Sequence, residues 1–294
     1  MVATTLNTPI DARVSLNGSQ WCFAKVQNNS TVETIRNDEI LCGHVDPEIE
    51  GDAVGRELNR FVISLDPTVP MLESLLPKMG MTLTTGVYES DTSLSSMAAV
   101  LDFGATAHSY AEVWVDKWIF RGGTSTLPIS MELHCVAVEE TDAGAAPAMS
   151  AGAMDYIYGF PGSTFTVAAT GYDIDRFVIA CDRNLVFEFN ASNIITGVGR
   201  GKRQTLLATS TPYLAAKKSV YWDNKEYLSG RDVDLILTNG IDTITFNMPL
   251  AKLNPKGPDI LNLRESIRLP LTWEARRQVD PANDAFSFTI AAVP

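Results

Sequence analysis

From Leu127 onward apolar side chains take every second position, through Ile129, Met131, Leu133, Cys135 and Ala137, while Ser130, Glu132 and His134 fall between them. A two-residue period is the signature of a half-buried strand with one face on a core. The same period runs through Ala111, Val113, Val115 and Ile119, with Glu112, Trp114, Asp116 and Trp118 opposite, which predicts a strand with one aliphatic and one aromatic-acidic face. Further strands are expected at residues 60–65 and 285–292. Tight turns are signalled by Asn17-Gly18, between strands at 12–16 and 21–26, and by Asn239-Gly240, between 233–237 and 241–248, because Asn-Gly accepts the positive φ of a two-residue hairpin loop. Residues 176–180 and 185–189 are expected to form a third hairpin around Asp182-Arg183-Asn184. Helical spacing is confined to residues 71–76, ending near Pro77–Gly80, and to a turn at 213–218. Residues 28–55 are polar, acidic and weakly periodic, so they predict a long excursion with at most a short strand near 40–45. Residues 121–126 are expected to be a loop.

The chain repeats itself. Leu127-Pro128-Ile129-Ser130-Met131-Glu132 returns as Leu269-Pro270-Leu271-Thr272-Trp273-Glu274, each position kept or exchanged for a side chain of similar polarity, half the chain length later. One structural unit written twice is the reading. Residues 143–153, rich in Ala, Gly, Pro, Ser and Met, are taken as a linker between domains at 1–142 and 154–294. The expected fold class is therefore mainly β: two small antiparallel β-sandwich or barrel domains, each with about one short helix. Pro128 and Pro270 open equivalent strands, and proline, lacking a ladder donor, suits a strand's first residues or a sheet edge that can recruit another chain.

Charge separates the two halves. The net charge is −12, with 8 basic and 20 acidic residues in 1–146 against 15 and 15 in the remainder. Such a first half repels a polyanion, which argues against tight nucleic-acid binding but suits a wall along which DNA slides. The N-terminal residues show no basic stretch followed by an apolar run, and no apolar run is long enough for a membrane span, so a soluble protein made in a reducing cytoplasm is expected. Cys22, Cys42, Cys135 and Cys181 lack Cys-x-x-Cys spacing and read as small buried hydrophobes.

No enzyme is required by the candidate chemistry, and neither catalytic residue, cofactor nor metal is expected. Gly197-Val198-Gly199-Arg200-Gly201-Lys202-Arg203 fails as a phosphate loop on spacing and on the residue after lysine, so it reads as a basic glycine-rich loop. His44, His108 and His134 sit in no metal-ligand spacing, and no Gly-x-Ser-x-Gly elbow occurs. Asp173/Asp175 and Asp232/Asp234 could share strand faces as ligands, but strand entries commonly carry solvated carboxylates. Trp114, Trp118 and Phe120 could form a stacking platform, with a second core layer as the simpler account.

The long early excursion after a first hairpin, one short helix, and a closing pair of extended strands at 112–120 and 127–139 resemble the tail tube protein of long-tailed bacteriophages, over most of residues 10–140. The second half is similar to a divergent second copy. The resemblance implies rings stacked into a hollow tube through which DNA leaves the capsid, with inner strands forming a continuous β lining. It implies six tube domains per ring, hence three copies of a two-domain chain in a pseudo-sixfold ring, or otherwise a hexamer. Its partners would be itself, other tail proteins, and DNA as passing cargo, with no membrane, in a virion tail assembled in the host cytoplasm. Asp38, Glu39, Asp46, Glu48 and Glu50 of the excursion, with Pro128 and Pro270, are the expected self-assembly residues; Ser130, Glu132 and His134 are expected to face the lumen. The alternative is a two-domain β-sandwich binding protein of a virion, receptor- or sugar-binding or a decoration or completion component, using the aromatic face at Trp114, Trp118 and Phe120.

Overall fold

The computed structural model describes residues 13–21, 23–28, 31–35, 53–91, 94–102, 107–124, 126–137, 140–142, 150–151, 158–189, 195–200, 205–212, 230–253, 271–276 and 285–292. The fold is mainly β and of sandwich type, with one α-helix among these residues. The first half contributes β1 (Arg13–Leu16), β2 (Ser19–Trp21), β3 (Phe23–Asn28), β4 (Thr31–Ile35), β5 (Ala53–Leu65), α1 (Val69–Leu75), β6 (Met81–Thr84), β7 (Val87–Ser90), β8 (Met97–Asp102), β9 (Ala107–Gly123), β10 (Thr126–Ala137) and β11 (Glu140–Asp142). Then follow β12 (Ser150–Ala151), β13 (Gly159–Val167), β14 (Thr170–Tyr172), β15 (Ile174–Asp182), β16 (Leu185–Phe189), β17 (Ile195–Arg200), β18 (Thr205–Pro212), β19 (Arg231–Thr238), β20 (Asp242–Leu253), β21 (Leu271–Ala275) and β22 (Ser287–Ala292).

Neighbouring strands in the first half run β2-β1-β8-β9-β10-β5-β3, antiparallel at every step. In the second half the order β14-β13-β19-β20-β21-β18-β15 is again antiparallel throughout. Strand for strand, these are the same path. The first hexapeptide lies on β10 and the described part of its repeat, from Leu271 on, lies on β21, the same place in each path, and the apolar side chains alternate inward identically: Ile129, Met131 and Leu133 in one, Leu271, Trp273 and Ala275 in the other. Both strands have a neighbour on each side, β5 and β9 for β10, β18 and β20 for β21. From Met131 on, β10 is therefore an interior strand and not the edge expected from Pro128. At its start, the Ile129 N–H donates to the Tyr158 carbonyl at 3.1 Å. Pro128 itself is exposed, and Pro270 lies outside the described residues.

The halves also share an excursion. β4 pairs with the beginning of β5, and β16 with β17, each just after the strand that ends the path. Residues 28–55 thus hold more strand than expected, with β4 at Thr31–Ile35 and β5 starting at Ala53; the strand expected near 40–45 lies outside the described residues. The glycine-rich run is likewise strand up to Arg200, because Gly197, Val198, Gly199 and Arg200 pair with β16.

Two expected connections take another form. β15 and β16 do not pair with each other, so Asp182-Arg183-Asn184 is a corner and no hairpin loop. The presumed loop at 121–126 is mostly strand, since β9 runs to Gly123 and β10 begins at Thr126. Of the linker, Ser150 and Ala151 form β12, parallel to β2; residues 143–149, 152 and 153 lie outside the described residues. A single connected apolar cluster takes side chains from both halves. Helix α1 buries Met71, Leu72 and Leu75 in it, as the helical spacing at 71–76 predicts.

The hairpin β1–β2 turns at Asn17-Gly18 with φ of 52° and 83°, the double positive φ of a type I′ turn. Its counterpart β13–β14 turns at Ala168-Ala169 with φ of 49° and 63°. Alanine has no side-chain polar group to compensate that conformation, which costs an L-residue about 1–2 kcal/mol. Ala168→Asn combined with Ala169→Gly is therefore expected to raise unfolding stability by about 1–2 kcal/mol. Denaturant unfolding checks this, and an unchanged midpoint would contradict the turn type.

Candidate assembly interface

The long strand β9 slips against β8 between Tyr110 and Val113 and changes phase again further on. His134 pairs with Lys117 and Cys135 with Val115, which leaves Asp116 as an extra residue, a β-bulge. Before it Val113 and Val115 point inward; after it Trp118 and Phe120 do. Strand β20 does the same: Phe246 and Met248 are buried, Pro249 and Leu250 partly exposed, Ala251 and Leu253 buried again. The ladder of β20 to the preceding strand β19 slips there, between Val233↔Met248 and Arg231↔Ala251, whereas the slip at Asp116 is in the ladder of β9 to the following strand β10. The change of burial phase is thus shared by the two halves, although the ladder that slips differs.

Its consequence is the loss of the expected aromatic platform. Trp118 and Phe120, 0 % and 1 % exposed, belong to the core, and Trp114 alone remains on the other face, 6.5 Å from the Phe187 ring of β16. Trp118 lies 5.9 Å from Phe286 and 5.8 Å from Phe288, Phe120 lies 5.7 Å from Phe288, and Phe246 lies 5.0 Å from Phe288. These edge and tilted ring contacts join first-half and second-half side chains in one cluster.

Beyond the bulge β9 meets the second half directly. Its residues Lys117–Gly123 pair antiparallel with Asp182–Arg176 of β15, and a shorter ladder joins β22 to β7. Two glycines permit the seam. A Cβ on Gly122 would stand 2.6 Å from the Phe177 ring, and one on Gly123 would stand 2.9 Å from the Arg176 Cβ. The corner after β15 is fixed to the bulge itself: the Arg183 N–H donates to the Asp116 carbonyl at 2.9 Å, and the Leu185 N–H to Asp116 Oδ1 at 2.9 Å. The Arg183 side chain, fully buried, donates to the carbonyls of Val115 at 2.9 Å and Lys78 at 3.0 Å. Gly80 makes room for it, since a Cβ there would lie 2.9 Å from Arg183 Nε. Gly122, Gly123, Asp116 and Arg183 were not singled out from the sequence as interface residues. The usable signals were a Gly-Gly pair prolonging an alternating strand and an arginine between two apolar runs.

The opposite face of this sheet is solvent-facing and carries the expected lumen residues. Ser130, Glu132 and His134 are partly exposed on β10. Glu132 pairs with Arg121 across β9, and His134 Nε2 lies 3.9 Å from Glu132 Oε2. On the same face, by register, stand Lys117, Arg176 and Lys252, with Asp182 and Glu274, and Arg276 bonds Glu274 at 2.8 Å. An acidic wall is therefore not what this face presents: cations match or exceed anions, and most face each other across strands. The imidazole of His134 titrates below its ordinary value, chiefly through partial burial and then through Lys117, with Glu132 opposing. Asp38, Glu39, Asp46, Glu48 and Glu50 lie outside the described residues.

The remaining chemical candidates have structural accounts. Asp232 and Asp234 both accept from the Asn247 amide at 2.7 Å, and burial raises the Asp232 carboxyl above its usual range. Asp173 is exposed and Asp175 buried, with a ladder slip between Ile174 and Arg176, so the pair does not share a face. The Cys135 thiol is buried and its ionisation pushed strongly up, which makes it inert. Among the described residues no group of three His, Cys, Asp or Glu side chains is placed to hold a metal ion, and no helix is long and apolar enough to cross a membrane. A cleft of about 480 Å³ opens beside Thr124, Phe160, Tyr172 and Asp173. No protein-family model matches the chain, and no curated protein matches it in sequence.

Gly122→Val is expected to destabilise the protein by about 1–3 kcal/mol through overpacking at Phe177, whereas Gly171→Val, with open space around its Cβ, should stay within about 0.5 kcal/mol. Denaturant unfolding of the two variants decides. Proton NMR should find His134 titrating below 6.5. Glu132→Gln should lower that midpoint further, because the carboxylate favours the imidazolium; a rise would refute the assigned environment.

Proposed function

We propose that this chain is a virion structural protein that assembles with copies of itself into stacked rings, the tail tube that conducts DNA. The observation that carries this reading is the duplicated strand path joined head to tail: two equivalent halves associate through different strands, β9 on one side and β15 on the other. A contact between non-identical surfaces of equivalent units is heterologous, and repeating it generates a ring or a filament. The resemblance of the first half's layout to phage tube proteins supports the ring, with three chains giving six such units. On the solvent face of the seam Arg121 is engaged by Glu132 and Arg276 by Glu274, but Lys117, Arg176 and Lys252 stand there as well, so the charge of this face does not by itself favour a repulsive wall.

The second reading is a two-domain β-sandwich binding protein. With Trp118 and Phe120 in the core, its platform would have to be the cleft beside Phe160 and Tyr172. The two readings differ in assembly. Sedimentation and negative-stain microscopy over a concentration series should give annular particles of three chains and, above a threshold, tubes of constant diameter. A discrete monomer or dimer at every concentration would refute the tube and favour the binding protein.

A further inference from the structure

Strand β15 has two neighbours, β18 and β9, while its counterpart β3 has one: among the described residues nothing pairs with its second edge. The strand that covers β15 is β9, beyond its bulge. The counterpart of that segment is the end of β20, where Ala251 and Leu253 take the inward places of Trp118 and Phe120. From these correspondences we infer that the open edge of β3 receives the C-terminal end of β20 from a second copy of this chain, repeating between molecules the seam that each molecule already contains. The inference rests on the proposed ring and specifies its contact.

The register follows by transfer. Within the chain Phe120 faces Ile179 and Ile119 faces Ala180. Matching β3 to β15 through their ladders to β5 and β18 puts Phe23 in the place of Ile179 and Lys25 in the place of Ala180. The second copy would then set Leu253 opposite Phe23 and Lys252 opposite Lys25, a like-charge pair that makes this ladder weaker than the internal seam. One difference from the internal seam is fixed by β19, whose Arg231 already pairs with Ala251. The receiving edge on β20 therefore begins at Lys252, and the intermolecular ladder is the shorter of the two. An edge strand left with free donors and acceptors is a template for such pairing.

The two lysines that meet give the test. Lys25→Cys and Lys252→Cys are combined in a background carrying Cys22→Ser and Cys42→Ser, at about 0.15 M salt. Differently isotope-labelled preparations are mixed and mildly oxidised, then digested for mass spectrometry. A disulfide joining residues 25 and 252 of differently labelled chains, with dimer and trimer bands without reductant and neither single variant giving them, is the expected result. Annular particles in which 25 and 252 do not link would overturn this contact while leaving the ring reading intact. A monomer at every concentration, with no link, would overturn both. The linked dimer without rings would support the contact and count against the tube.

Discussion

The ladder between β9 and β15 is the constraint on which the rest of the molecule depends. It forms because β9 continues past Asp116 in a shifted phase and because Gly122 and Gly123 lack the Cβ that would strike Phe177 and Arg176. The shift turns Trp118 and Phe120 inward, where Phe286 and Phe288 of the last strand meet them. Were β9 to keep its first phase, those rings would point to solvent and the shared cluster would lose its centre. Arg183 secures the arrangement by donating from the second half to two carbonyls of the first, Val115 at the bulge and Lys78 after the helix. A buried guanidinium is costly to desolvate, so such a group specifies one geometry more than it adds net stability.

How much of this was legible in the sequence depends on which signals are local. The alternation in β10, the Asn17-Gly18 turn and the spacing of α1 are carried by a few adjacent residues, and the structure follows them. The hexapeptide repeat located the duplication correctly at the level of strand order, β10 and β21 standing in the same place. What failed was phase. A bulge inserts one residue with no compositional mark, so reading Trp114, Trp118 and Phe120 as one face carried a single period through a break. The Ala168-Ala169 turn was silent because alanine seldom adopts positive φ, and the Gly122-Gly123 pair looked like a loop because close backbone approach and flexibility use the same residue.

Charge was legible in amount and not in place. The first half holds the excess of acidic residues, yet the solvent face built from β10, β9 and β15 alternates Arg121 with Glu132 and Lys117 with Asp182. Cross-strand partners on a flat face settle into opposite-charge rows, since like charges directly opposed destabilise the ladder. Net composition therefore predicts the far field of the protein, while the local potential of a sheet face follows from register.

Duplication within one chain changes the energetics of a ring. Each association between separate molecules forfeits translational and rotational freedom, worth on the order of 4–15 kcal/mol. A seam inside the chain avoids that loss, because its two halves meet at the effective concentration set by a short connection. A ring of six units built from three two-unit chains then needs three intermolecular contacts, and these can be weaker without the ring falling apart. The contrast between the internal ladder, seven residue pairs from Lys117 to Gly123, and a receiving edge on β20 that begins only at Lys252 is what that division of labour would produce: a strong seam that folds with the chain, and a weaker one that closes when copies meet.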